Sequence, residues 1–203
     1  MATEFLLRGE IDKAINIFEE EYSKNPSQNL YNLYLDALLK KNDFKEAEKL
    51  VVKQSKKNKN DIPKNVDLLF VYSAAGDIKK QEKIFKELTN TLKSSTYSDY
   101  SNAADLLEKR KLNDFAIQIL EKGRDNSQNT YTFAEELAVL YEKIGNFEAA
   151  TGEYVKIILR NREARQNVEA SLSRIIATKM SAIPALKKVL LKSIQTHIEN
   201  MDL

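Results

Sequence analysis

Apolar residues recur along this chain at spacings of three and four, in runs broken by short polar stretches that carry glycine or asparagine. In "LYNLYLDALLKK", residues 30–41, Tyr31, Tyr34, Leu35 and Leu38 form one stripe of an amphipathic helix. Beyond a break at Asn42, the residues Phe44, Ala47, Leu50, Val51 and Gln54 continue the stripe on a second helix. The pattern predicts two helices joined by a short turn.

The same turn recurs. "GEIDKAINIF" from Gly9, "NDFKEAEKLV" from Asn42, "GDIKKQEKIF" from Gly76, "KLNDFAIQIL" from Lys111 and "GNFEAATGEY" from Gly145 align without gaps. Five places after the turn residue stand Ala14, Ala47, Gln81, Ala116 and Ala150, at steps of 33, 34, 35 and 34 residues. A fixed period of this length marks stacked supersecondary units. Gly9, Gly76 and Gly145 suit the left-handed residue that ends a helix, and Asn42 is a common substitute. The Asp or Asn that follows can cap the next helix. A small residue inside the second helix lets two helix backbones approach, with larger neighbours filling the groove. Lys111 at the glycine column leaves that turn the least defined by sequence.

These columns resemble the tetratricopeptide repeat, a helix-turn-helix unit of 34 residues. Residues 131–164 carry its pattern most fully, with Leu137, Ala138, Tyr141, Gly145, Phe147, Ala150 and Tyr154 in register. Residues 28–61 put Leu35 where a small residue is usual, residues 62–96 put Gln81 in the alanine column, and residues 97–130 put Lys111 in the glycine column. The resemblance covers residues 1–164 and implies an all-α fold, a right-handed α-solenoid of about five helix pairs. Met1 falls at the seventh position of a first unit, so the expectation is a first repeat truncated at its N-terminus within a longer native chain that could carry other domains. Residues 165–203 predict a divergent helix pair closing the array. Its stripes are Val168, Leu172, Ile175 and Ile176, then Ile183, Leu186, Val189, Leu190 and Ile194; Ser181 is the expected cap, and Pro184 stands in the first turn.

The resemblance also implies a concave groove lined by the first helix of each unit. Carried over by register, its residues are Asn29, Asn32, Asp36, Leu39 and Lys40, then Val66, Phe70, Ser73 and Ala74. Ser98, Ser101, Asp105, Glu108 and Lys109 follow, and last Thr132, Glu135, Val139, Glu142 and Lys143. The lysine, asparagine and arginine clamp with which some family members hold chaperone tails is absent from these places. An extended segment or a helix from a partner, held by Asn, Ser and acidic groups around Phe70, is the expected ligand.

Composition narrows the chemistry. With 32 basic against 30 acidic residues, the net charge of +2 offers no general attraction to polyanions. The lysines Lys49, Lys53, Lys56, Lys57, Lys59 and Lys64 concentrate charge near the end of the second unit, with few aromatics among them, and read as a solvated helix end. The absence of cysteine excludes a disulfide framework and thiolate chemistry, and the single histidine, His197, has no ligand-spaced companions. No phosphate loop, dinucleotide fingerprint or HExxH motif occurs. The carboxylates of "IFEEEY" at 17–22 read as a solvated face. Neither an enzyme, a cofactor, a metal, nucleic acid nor membrane insertion is expected. The reading is a protein-interaction scaffold, with a structural or self-assembling segment of a larger multi-domain protein as the alternative and RNA binding a distant third. The compartment stays open. The richness in lysine, asparagine and isoleucine suggests an AT-rich bacterial genome.

Overall fold

In the computed structural model, which describes residues 2–54, 61–93 and 95–199, the chain is built of α-helices, and no strand occurs among these residues. Its contacts divide it into two compact units, Met1–Thr91 and Leu92–Leu203. The first holds α1 (Ala2–Leu7), α2 (Ile11–Lys24), α3 (Gln28–Lys40), α4 (Phe44–Gln54), α5 (Ile62–Ala75) and nearly all of α6 (Ile78–Leu92). In this unit α1 packs on α2, α2 on α3, α3 on α4 and α4 on α5. The second holds α7 (Tyr97–Lys109), α8 (Asn113–Ser127), α9 (Ala134–Lys143), α10 (Phe147–Arg160), α11 (Arg165–Thr178) and α12 (Ile183–Glu199). There α7 packs on α8, α8 on α9, α9 on α10, and α10 on both α11 and α12. Each of these packed helices buries its apolar stripe against helices one or two places away in sequence.

One turn geometry closes five of these helices. Gly9, Asn42, Gly76, Lys111 and Gly145 all have positive φ, between 61° and 79°. At each, the amide of the turn residue bonds the carbonyl three residues back, at 2.7–3.2 Å. The next amide reaches the carbonyl five residues back: Glu10 to Phe5, Asp43 to Leu38, Asp77 to Tyr72, Leu112 to Leu107 and Asn146 to Tyr141, at 2.9–3.0 Å. This paired bonding satisfies carbonyls that the helix end would otherwise leave open. The residue after the turn then starts the next helix. Asp43, Asp77 and Asn146 accept from the amides of Glu46, Lys80 and Ala149 at 3.3, 3.0 and 3.1 Å.

Lys111 adopts the left-handed conformation although its side chain makes this costly, by about 1–2 kcal/mol. Lys111→Gly is therefore expected to raise the stability of the second unit by about 1 kcal/mol, net of glycine's looser unfolded chain. A urea titration with an unchanged slope and a higher midpoint would show it.

The small-residue column packs as helix contacts require. Ala14, Ala47, Ala116 and Ala150 are all 0 % exposed. Gln81, the larger member, is half-buried and turns its amide back to the Tyr72 carbonyl at 3.2 Å. A longer polar side chain is tolerated because its donor is used. Leu35, which stands where a small residue was expected, is fully buried.

Corresponding helices are tied across one interval of the repeat. Tyr31 on α3 donates to Asp67 on α5 at 2.7 Å, and Lys80 on α6 pairs with Glu48 on α4 at 2.9 Å. In the second unit Ser101 on α7 donates to Glu136 on α9 at 3.1 Å, and Lys188 on α12 pairs with Glu148 on α10 at 2.7 Å.

Two elements differ from the sequence expectation. The helix of the fifth unit begins only at Ala134, because the Asn129 side chain accepts from the Tyr131 amide at 3.0 Å and Phe133 sits at φ 60°. Thr132 is thereby in a turn and not on the helix. Ser181 does not cap α12; it lies inside a 3-10 turn, Met180–Ala182, that leads directly into Ile183.

The buried tyrosines give the fold a defined alkaline limit. Tyr34 is pushed up to about 12, first by burial and then by Glu19, Glu46 and Asp43, and burial also raises Tyr22, Tyr72, Tyr141 and Tyr154. The unfolded chain releases these protons near pH 10, before the folded one does. Stability from this source is complete below about pH 10 and is lost as pH rises toward about 12. The thermal midpoint is expected to fall through that window, and Tyr34→Phe to flatten part of the fall.

Candidate functional site

The first helices of the two repeats in the second unit, α7 and α9, enclose a groove of about 450 Å³. Its floor is apolar: Ala104, Leu120, Val139 and Leu140. Ala104, Leu120 and Leu140 are core residues at 4 %, 0 % and 2 % exposure, whereas Val139 stands 44 % exposed. Four carboxylates line the walls, Asp105, Glu108, Glu135 and Glu136, and no basic residue is among the lining.

The walls are held by bonds from one helix to the other. At one end the hydroxyl of Tyr97 donates to Glu136, and Ser101 donates to the same carboxylate oxygen at 3.1 Å. Burial, with Glu136 second, raises the Tyr97 phenol, so it stays a donor at neutral pH. At the other end Lys143 on α9 pairs with Glu108 on α7. Asp105 is exposed between these fastenings, and Glu135 is exposed next to Glu136 in the first turn of α9. An acidic trough over an apolar strip favours a ligand that carries both an apolar side chain and positive charge.

Ser101, Asp105, Glu135 and Val139, each expected from register, are brought together here. Lys109, also expected, is exposed on α7 but is not part of this lining. Glu142 is committed elsewhere: it accepts from Tyr154 at 3.0 Å and holds Arg174 of α11 in a two-pronged ion pair. It fastens the last helix pair to α9.

In the first unit the expected residues lie on α3 and α5. Asn29, Asp36 and Lys40 are exposed, Asn32 is half-buried beside the Gln28 amide at 3.4 Å, and Phe70 and Ser73 are half-buried. Val66 is 1 % exposed. It points into the core, because the apolar face of α5 is wider than the register assumes: Val66, Leu68, Leu69, Val71 and Tyr72 are all buried. Val66 therefore drops out of the docking surface. The Ser73 hydroxyl oxygen is buried without a hydrogen-bond partner, a local cost of about 1–3 kcal/mol.

Register missed the aromatic group at the mouth of the α7–α9 groove. Tyr97 and Phe133 stack with ring centroids 4.4 Å apart and planes 12° apart, and Tyr100 tilts against Phe133 at 6.1 Å. The tyrosine–phenylalanine composition was visible, but the left-handed Phe133 that turns its ring under Tyr97 was not.

Of the lysine concentration, Lys49 pairs with Glu46 at 2.5 Å on a solvated face, and Lys53 is exposed at the end of α4. Lys56, Lys57 and Lys59 lie outside the described residues, as does the side chain of His197. Among the described residues there is no group of three potential metal ligands, and no helix is long and apolar enough to cross a membrane. No family model matches the chain, and no curated protein is significantly similar to it in sequence.

Proposed function

We propose that this chain is a non-enzymatic protein-interaction module, an array of tetratricopeptide-like helix pairs whose α7–α9 groove docks a basic, partly apolar segment of a partner protein. The observation that carries the reading is the lining of that groove, four carboxylates with an apolar floor that includes the exposed Val139. Charge complementarity supplies orientation and on-rate, and burial of an apolar side chain against Ala104, Val139 and Leu140 supplies affinity. The five like turns support the repeat reading, since each hands the chain from one helix to the next in the same way.

Selection of a random dodecapeptide library displayed on phage against the immobilised chain tests this. Enriched peptides are expected to carry net positive charge and an apolar residue. They should lose at least about tenfold in affinity for Val139→Arg, which places a like charge in the groove of a folded protein. Enrichment of acidic peptides, or equal binding to Val139→Arg, would remove the groove from the account.

A further inference from the structure

Beside the groove, and sharing Tyr97, Glu135 and Glu136 with it, is a second pocket of about 300 Å³. Tyr131 and Phe133 complete its aromatic walls, and Arg160 from the end of α10 stands at its edge. We propose that this pocket anchors an arginine side chain of the docked segment, an inference that rests on the groove reading above.

Three features select a guanidinium. First, the pocket combines aromatic faces with carboxylates. A guanidinium is planar and weakly hydrated, stacks on such faces, and forks onto carboxylate oxygens, whereas an ammonium is a compact and strongly hydrated point charge. Tyr97 remains 55 % exposed although stacked on Phe133, so aromatic surface is offered to solvent. Second, both hydrogen bonds to Glu136 fall on Oε1, which orients the carboxylate and leaves Oε2 for another donor. Third, the pocket is built at a local cost. Phe133 is 3 % exposed and held at φ 60°, a conformation that an aromatic residue adopts only when its surroundings impose it. Two carboxylates in the first turn of α9 are accounted for by the helix dipole alone. Phe133, set by the Asn129 turn and packed against Tyr100, fixes the stacked Tyr97 ring at the pocket.

Arg160 opposes the proposal and so supplies its sharpest test. Two acids face one base in the lining, a local balance of −1. If the pocket takes a cation, Arg160→Gln relieves repulsion and tightens binding; if it takes a carboxylate or phosphate, the same change weakens binding.

The probe is the best dodecapeptide from the selection, labelled with fluorescein. It is made with arginine, lysine or the neutral isostere citrulline at its most strongly enriched basic position, and binding is read by fluorescence anisotropy. Citrulline is expected to bind about tenfold more weakly than arginine, with lysine between them. The arginine–citrulline difference should fall below about twofold on Glu136→Gln and on Tyr97→Leu. Tyr97→Phe, which keeps the ring, should retain more of it, and circular dichroism confirms the fold of each variant. Arg160→Gln should tighten the arginine peptide. Equal binding of arginine and citrulline to the native chain overturns the arginine pocket while leaving the groove intact, and so does weaker binding by Arg160→Gln or equal binding of lysine. A selection that enriches nothing basic overturns both.

Discussion

Glu153→Ala is expected to destabilise the second unit by about 3 kcal/mol, the low end of what breaking a buried ion pair costs. Glu153 on α10 receives both prongs of Arg124 from α8, at 2.8 and 2.6 Å, and Lys156 at 2.8 Å. The side chains of Arg124 and Glu153 are only 14 % and 7 % exposed. Arg124 also donates through Nε to the Thr132 carbonyl at 2.8 Å, which fixes the turn that precedes α9. Truncating Glu153 leaves the guanidinium buried without its counter-charge, and that desolvation accounts for most of the loss. Replacing the pair together, Arg124→Met with Glu153→Leu, is expected to recover part of the stability, since an apolar pair of similar volume avoids desolvating two charges but leaves the Thr132 carbonyl without its donor. Urea unfolding of the single and double variants, followed by far-UV circular dichroism, measures both. Equal losses in the two would mean that the pair attracts more than it costs to desolvate.

Gly123→Ala is expected to destabilise by about 2 kcal/mol, opposite in sign to the usual effect of that change inside a helix. A Cβ at Gly123 would lie 2.6 Å from Phe133 Cε2, 2.8 Å from Tyr100 Cδ1 and 2.9 Å from Tyr100 Cγ. Neither ring has room to retreat. Tyr100 is 4 % exposed and its hydroxyl accepts from Asn126 at 2.6 Å, while Phe133 is wedged between Tyr97 and Tyr100. Gly152 on α10 is the internal control: a Cβ there meets nothing within 4 Å. Gly152→Ala should stabilise by about 0.5–1 kcal/mol through helix propensity alone. The two substitutions therefore separate steric contact from propensity, and thermal midpoints moving in the same direction would contradict the close approach at Gly123.

Gly123 also shows where sequence reading stops. A glycine among the good helix formers "AIQILEKGRDNS" offers no period and no turn signal, and its reason is two aromatic rings that reach it from α7 and from the turn before α9. Phe133 is similar. Its column fits the opening of a helix, yet Asn129 folds the preceding turn on itself and delays α9 to Ala134. The aromatic pocket follows from that delay. Val66 erred in the other direction: its register position implied a groove, and the breadth of the apolar face on α5 buries it.

Turns and stripes were legible because their causes lie within a few residues. A left-handed residue and the capping group after it act through bonds that span three to five residues, so even Lys111 could be assigned to its column before its conformation was known. Apolar spacing likewise identified the helices. What required the folded chain was every feature made by residues about one repeat apart: the fastening of Tyr97 and Ser101 to Glu136, the burial of Arg124 with Glu153, and the pocket around Phe133. Periodicity tells which side of a helix faces its neighbour, but it carries no measure of how close two backbones come or of which way a single strained residue turns its ring. Those depend on the packing of several helices at once.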